Sequence, residues 1–300
     1  MDEFKPPTSL DGLMIVATAP QRSAMGESLA RELGVRYVEL TAERFPDGEY
    51  HARVPERIDG TAVLVGDLRP DERILETVVG ADALREAGAD EIVLAAPYLA
   101  YGRQDRAFEP GEGVSARALL RALSANADAF ATVDPHTDGV LDHFDGATSA
   151  ATAAQEIATH LADEGVDLVL APDAGARDRA EQVADHLGCP FDHLEKHRKS
   201  AHEVEIEPHD ADVTGQTVLV VDDIVATGGT MSTATRQLLD AGAGRVLLAA
   251  THGVFADGAL KRLDDAGAET ILATDAIPSS ASAISLAPAL ARAARRARSG

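Results

Sequence analysis

The chain has a single cysteine, Cys189, and lysine at only four of its 300 positions: 5, 196, 199 and 261. A lone cysteine excludes an intrachain disulfide and argues against a zinc cluster; set between Gly188 and Pro190, it reads as a buried, inert thiol. No stretch approaches the roughly 20 apolar residues that cross a bilayer, and no basic segment with an apolar run behind it marks a secretory leader, so a cytoplasmic protein is expected. There is no G-x-x-x-x-G-K-[ST] loop. GEGVSA (111–116) meets the dinucleotide pattern loosely and follows no strand, so nucleotide binding is not written in a familiar loop.

Positive charge is scarce as well. Asp and Glu number 50 against 27 Lys and Arg, a formal charge of −23. Such a chain repels polyanions, which argues against sequence-independent binding to nucleic acid or to an anionic membrane. The acids are spread over every predicted helix instead of forming a tail, a pattern that points to a halophilic protein adapted to high salt, where self-repulsion is screened. An ordinary acidic cytosolic enzyme is the plainer alternative. The 45% hydrophobic content suffices for one large or two ordinary cores.

Short aliphatic runs alternate with amphipathic stretches along almost the whole length, the pattern of an α/β protein with largely parallel sheets. Predicted strands are LMIVAT (13–18), TAVLVGD (61–67), EIVLAAP (91–97), DAFATVD (128–134), VDLVLAP (166–172), TVLVVDD (217–223), RVLLAATH (245–252) and ETILATD (269–275). Helices are expected at 71–87, 115–125, 150–164, 176–187 and 230–241, several closed by Gly88, Gly165, Gly188 and Gly242. Polar strand-end segments occur in the same order twice: GDLRP, PYLAYGRQDR and VDPHTD, then APDAG, EKHRKS and VDDIVATGG. Two doubly wound parallel-sheet domains are therefore expected, 1–147 and 148–300, with a C-terminal helix at 283–298 packing back on the first. Ligands bind beyond the C-terminal ends of such strands.

VLVVDDIVATGGT (218–230) fits a strand, an acidic turn, a phosphate loop and a helix start. Backbone N–H groups around Thr227, Gly228, Gly229 and Thr230 suit a phosphate, whereas Asp222 and Asp223 repel one. The acids make sense if the anion is a sugar phosphate: they accept hydrogen bonds from ribose hydroxyls or hold a hydrated Mg²⁺. The plainer alternative is a generic strand-to-helix turn.

This run resembles the ribose-phosphate motif of the phosphoribosyl-pyrophosphate (PRPP) binding families. RFPDGEYHARVPE (44–56), PYLAYGRQDRAF (97–108), VDPHTDGVLDHFD (133–145), APDAGARDRA (171–180) and EKHRKS (195–200) resemble segments of the ribose-phosphate pyrophosphokinase family, in matching order. Phosphoribosyltransferases resemble only the second half. The resemblance implies a type I phosphoribosyltransferase-like fold in both domains, and transfer of the β,γ-diphosphoryl group of ATP to the 1-hydroxyl of ribose 5-phosphate. Mg²⁺ is the implied cofactor, with His136 and Asp173 as its ligands and Asp134 orienting His136.

Further roles follow from the same resemblance. Lys196 and Arg198, expected on a mobile catalytic loop, clamp the transferred phosphates; Arg103, Gln104, Asp105 and Arg106 grip those of ATP. Phe45, Asp47 and Glu49 reach the adenine from a neighbouring subunit, which makes a homo-oligomer necessary. Taken without the family, FPDGEY is a hairpin turn, His136 a hydrogen-bonding residue, and 195–200 a solvated basic turn. Ala226 stands in the ribose 5-phosphate loop where many bacterial and animal relatives carry a third acid, which resembles the archaeal pattern and puts carry-over of ADP control or a hexamer in doubt. A nucleobase phosphoribosyltransferase and a non-catalytic synthetase-associated subunit are the alternatives; the N-terminal ATP segments argue against the former, and joint retention of Lys196, Arg198, His136 and Asp173 against the latter.

Overall fold

The computed structural model describes residues 14–198, 204–208 and 211–299. The chain divides into two units: the first runs to Ala151 and takes back the chain from Ala287, and the second is Thr152–Leu286.

The first unit consists of β1 (Met14–Thr18), α1 (Ser23–Leu33), β2 (Arg36–Glu39), the hairpin strands β3 (Thr41–Arg44) and β4 (Tyr50–Arg53), β5 (Thr61–Val65), α2 (Glu72–Glu86), β6 (Glu91–Ala96), α3 (Ser115–Ser124), β7 (Ala129–Val133) and β8 (Ala147–Ala151). Its six-stranded sheet has the order β2-β1-β5-β6-β7-β8. All neighbours in it are parallel. β1, β5 and β7 are buried at every position, so they read as unbroken apolar runs, the signature of strands covered on both faces. On one face Ile15, Leu64, Leu94 and Phe130 form a core with Leu84 of α2 and Leu120 of α3.

The second unit contains α4 (Ala154–His160), β9 (Leu168–Ala171), α5 (Arg177–Leu187), β10 (Phe191–Arg198), β11 (Val204–Pro208), β12 (Thr217–Val225), α6 (Gly229–Asp240), β13 (Arg245–Gly253), α7 (Ala259–Asp264), β14 (Thr270–Thr274) and β15 (Ser282–Ile284). The sheet order is β11-β10-β9-β12-β13-β14-β15. Only β10 and β11 pair antiparallel. Leu168, Val218, Val220, Val246 and Leu248 pack with Met231, Ala234 and Leu238 of α6 and Leu263 of α7. After β15 the chain enters α8 (Ala287–Ser299), which lies along β6, β7 and β8 and against α1.

With β11 set aside, the two sheets have one strand order: second, first, third, fourth, fifth, sixth. The duplication is thus present, but its loops correspond differently from the sequence expectation. GDLRP follows the third strand of its sheet and matches VDDIVATGG in position; APDAG follows the first strand and matches the chain after Thr18. The shift arises because β2, RYVE, buries only Val38 and carries no apolar run to betray it. Two helices also differ from expectation. The one sought at 150–164 is confined to Ala154–His160, and the last begins at Ala287 because Ser282–Ile284 pair as β15. Pro288, lacking a donor, fits only a first helical turn. Gly88, Gly165, Gly188 and Gly242 all have positive φ.

Leu290 of α8 is fully buried. Leu290→Ala is expected to destabilise the first unit by about 2–5 kcal/mol, read as a lowered urea midpoint; an unchanged midpoint would mean that α8 is not integral to that core.

Candidate active site

The C-terminal edge of the second sheet gathers four sequence-predicted groups. β12 ends in Asp222 and Asp223 and runs on to Val225; Ala226 and Thr227 follow, and α6 opens at Gly229 behind Gly228. Asp173 lies beyond the end of the neighbouring strand β9, in register with β12 through Val220 and Leu170. Its carboxylate accepts the Gly175 N–H at 3.0 Å. On the far side of β9 runs β10, which carries Lys196 and Arg198.

Gly228 gives the loop its shape. Its backbone is left-handed, with φ +72°, and a Cβ there would stand 3.3 Å from Leu263 Cγ and 3.5 Å from Ala259 Cβ of α7. Any larger residue would meet both strain and α7. The loop is also stitched to the chain after β13: Phe255 N–H donates to Val225 O at 3.0 Å and Ala256 N–H to Ala226 O at 2.9 Å. Arg262 of α7 donates to Thr227 O. With those carbonyls engaged, Thr227, Gly229 and Thr230 are exposed at a helix N-terminus, where free N–H groups and the helix dipole favour an anion.

The acid pair is the electrostatic centre. Asp223 is 7% exposed and faces Arg179 of α5, with Nη1 3.9 Å from its Oδ1. Asp222 accepts the Asp223 N–H at 2.9 Å. Burial, reinforced by a hydrogen bond between the two carboxyl groups and by the charge of Asp223, pushes the Asp222 carboxyl up to about 8, against the smaller opposing influences of the Asp223 N–H and of Arg179. A hydroxyl-rich ligand or a cation would relieve that excess of negative charge. Arg179 and Arg262 escaped the sequence reading: Arg179 was visible six positions after Asp173 within APDAGARDRA, but Arg262 gives no signal, since its role depends on how α7 packs.

Lys196 and Arg198 depart from expectation in one respect. They lie on strand β10, where Lys196 pairs with Ile206 and Arg198 with Val204 of β11, rather than on a loop. Antiparallel pairing overrides a charged sequence that carries no apolar alternation. The rest of EKHRKS, Lys199 and Ser200, lies outside the described residues.

In the first unit, the loop after β6 holds Arg103, Gln104, Asp105 and Arg106. Arg103 and Arg106 are exposed. Gln104 also braces its own loop: its side chain donates to Glu112 Oε1 at 2.9 Å and accepts from Ser115 Oγ at the start of α3. Asp105 accepts from Thr137 Oγ1 at 3.1 Å, tying this loop to the one after β7 that carries His136. His136 is exposed beside Gly102, its Cβ 3.9 Å from where a Gly102 Cβ would be. Asp134, two residues earlier, is buried with φ +41°, a strained backbone of the kind found at functional strand ends.

Phe45, Asp47 and Glu49 occupy the tip of the β3–β4 hairpin. Phe45 N–H donates to Glu49 O and Gly48 N–H to Phe45 O, both at 2.8 Å, and Asp47 Oδ1 accepts the Glu49 N–H at 3.1 Å. Pro-Asp-Gly turn chemistry therefore operates here. Phe45 is nonetheless 46% exposed, an aromatic displayed by a rigid turn.

His136 and Asp173 belong to different units. Among the described residues no group of three or more His, Cys, Asp or Glu side chains is gathered that could hold a metal ion. The donors that are present still fit Mg²⁺, which needs only one or two carboxylates and completes its shell with phosphate oxygens and water: Asp173 is an exposed carboxylate, and Asp222 and Asp223 lie at the end of the neighbouring strand.

Comparison with known proteins covers both units. The N-terminal domain of ribose phosphate pyrophosphokinase matches residues 14–126, and the phosphoribosyl transferase domain matches residues 136–281. A ribose-phosphate pyrophosphokinase of Methanopyrus kandleri is 47% identical over 93% of this chain and 98% of its own length. One from Halobacterium salinarum is 42% identical over 89% of this chain and 96% of its own. The crystal structure of phosphoribosylpyrophosphate synthetase from Mycobacterium smegmatis superposes with a TM-score of 0.78 at 30% identity, covering 94% of this chain and 97% of that one. With both units matched at this identity, the chain belongs to the ribose-phosphate pyrophosphokinase family of enzymes.

Proposed function

We propose that this enzyme makes PRPP and AMP from ribose 5-phosphate and ATP, and that the second unit holds the sugar phosphate. The observation that carries this reading is the junction of an acid pair, Asp223 buried and Asp222 half-buried, with an exposed helix N-terminus. Asp222 and Asp223 accept hydrogen bonds from the ribose hydroxyls while the amides of 227–230 receive the 5-phosphate. In the first unit, Arg103, Gln104, Asp105 and Arg106 hold the phosphates of ATP, and the hairpin tip with Phe45, Asp47 and Glu49 holds its adenine, in a homo-oligomer where the tip serves a neighbouring subunit.

The 1-hydroxyl oxygen then attacks the β-phosphorus in line; the bond from that phosphorus to the α–β bridging oxygen breaks, AMP leaves with that oxygen, and the hydroxyl proton passes to water. Diphosphoryl transfer needs positioning and charge neutralisation more than covalent help. Lys196 and Arg198 supply it by gripping the transferred group. His136 and Asp173 would hold Mg²⁺, which would supply neutralisation of phosphate charge. The acidic surface is a halophilic adaptation, and the enzyme works in the cytoplasm; no helix among the described residues is long and apolar enough to cross a membrane.

Incubation with ATP, ribose 5-phosphate and Mg²⁺ in concentrated KCl is expected to yield AMP only when ribose 5-phosphate is present, with activity falling in dilute buffer; ADP as product would contradict the reading. Lys196→Ala is expected to lower kcat by about 10²-fold or more with the melting temperature unchanged. A second expectation concerns Asp222. Its folded-state pKa lies above the unfolded value of 3.8, so the folded state binds more protons between about 4 and 8 and loses stability as pH rises through that window. Asp222→Asn should therefore melt higher than the wild type above pH 8 while losing affinity for ribose 5-phosphate in calorimetric titration; a lower melting point there would refute the assigned burial cost.

A further inference from the structure

In a sheet of this topology the crevice lies where the chain leaves the first strand to one side and the third to the other. In the second unit that place, between β9 and β12, is the acid pair and phosphate loop. The equivalent place in the first unit, between β1 and β5, is occupied by the protein's own charges. Arg22, 7% exposed, donates to both oxygens of Asp67 at 2.7 and 3.1 Å. Thr77 Oγ1 of α2 donates to Asp67 O at 2.9 Å. Beside them Glu76, also on α2, has only 4% of its side chain exposed and receives Arg73, Gln21 and Arg44. Gln21, Arg22, Asp67, Glu76 and Thr77 line one small pocket.

Arg44 makes this cluster more than a plug. It is the last residue of β3, directly before the tip. Its Nη2 meets Glu76 Oε1 at 2.5 Å, its Nη1 donates to Gly48 O inside the tip turn at 3.0 Å, and its guanidinium carbon sits 5.6 Å from the centre of the Tyr50 ring. The β3–β4 hairpin is a sheet of its own, and an isolated two-stranded ribbon is marginal in water. It docks on α2 through β4. One guanidinium thus bridges a buried carboxylate and a carbonyl of the turn that presents Phe45, Asp47 and Glu49. A buried carboxylate needs partners, so Glu76 is a fixed point and not a mobile surface acid.

We propose that Arg44 and Glu76 are positioning residues for nucleotide binding: Glu76 holds Arg44, and Arg44 holds the hairpin tip in the shape that receives adenine. The crevice that binds substrate in one unit has become, in its counterpart, the anchor of a substrate-binding hairpin. This rests on the assignment of the tip to ATP made above. Because Arg44 is half exposed, its removal leaves the core closed.

The test measures KM for ATP and for ribose 5-phosphate separately in Arg44→Ala, Arg44→Lys, Glu76→Gln, the double variant Arg44→Ala/Glu76→Gln, and Phe45→Ala as the control for the tip itself. Arg44→Ala is expected to raise KM for ATP by about tenfold, a loosened rather than deleted site, with KM for ribose 5-phosphate and the melting temperature unchanged. Arg44→Lys should recover part of the loss, and the double variant should be no worse than Arg44→Ala, because the two side chains act as one unit. A raised KM for ATP in Phe45→Ala with none in Arg44→Ala would overturn the anchor while leaving the tip's role intact. Unchanged KM for ATP in both would remove the tip from the nucleotide site, and the inference with it.

Discussion

Placing two adjacent carboxylates at the end of a buried parallel strand is unfavourable, and the second unit is arranged around that cost. β12 is a nine-residue strand that stays apolar until Asp222, so the acids arrive at the sheet edge with Val221 and Val225 buried on either side. Arg179 relieves Asp223 in part, and Asp222 is left with a carboxyl that ionises only near 8. A protein selected for stability alone would replace that pair with neutral residues. Beside a helix N-terminus whose amides favour anions, the two carboxylates oppose a bare phosphate, and the proposed sugar phosphate meets both because it brings hydroxyls with it.

The same topology serves opposite ends in the two units. Both sheets share one strand order, and both place an acid at the end of the third strand: Asp67 after β5, and Asp222 and Asp223 in β12. In the first unit Arg22, in the turn after β1, pairs with both oxygens of Asp67; in the second, the turn after the matching first strand contributes another acid, Asp173. Charge balance within the crevice thus differs between the two units. The first unit's exposed chemistry is displaced to the loops after β6 and β7 and to the hairpin, where Arg103, Arg106, His136 and Phe45 reach solvent.

Much of this is legible in the sequence wherever burial writes an apolar run. The strands MIVAT, TAVLV and LVLA stand out because both their faces are covered, and VVDDIVATGGT is legible because the abrupt switch from valine to aspartate and glycine has few structural explanations. Elements at the sheet margins are not. RYVE and TAER bury at most one residue each, so β2 and β3 leave no periodic trace, and their loss shifted the alignment of the two halves. Lys196 and Arg198 read as loop for the same reason, since only pairing with β11 makes them strand. Arg44, Arg179 and Arg262 act through contacts 32, 44 and 35 residues away, beyond any local pattern.

The most direct test of the acid pair's role is the position of the sugar itself. Crystals soaked with ribose 5-phosphate should show the ribose hydroxyls within hydrogen-bonding distance of Asp222 and Asp223 and the phosphate against the amides of 227–230. A sugar bound away from both carboxylates, or turned so that its phosphate faces them, would contradict the account.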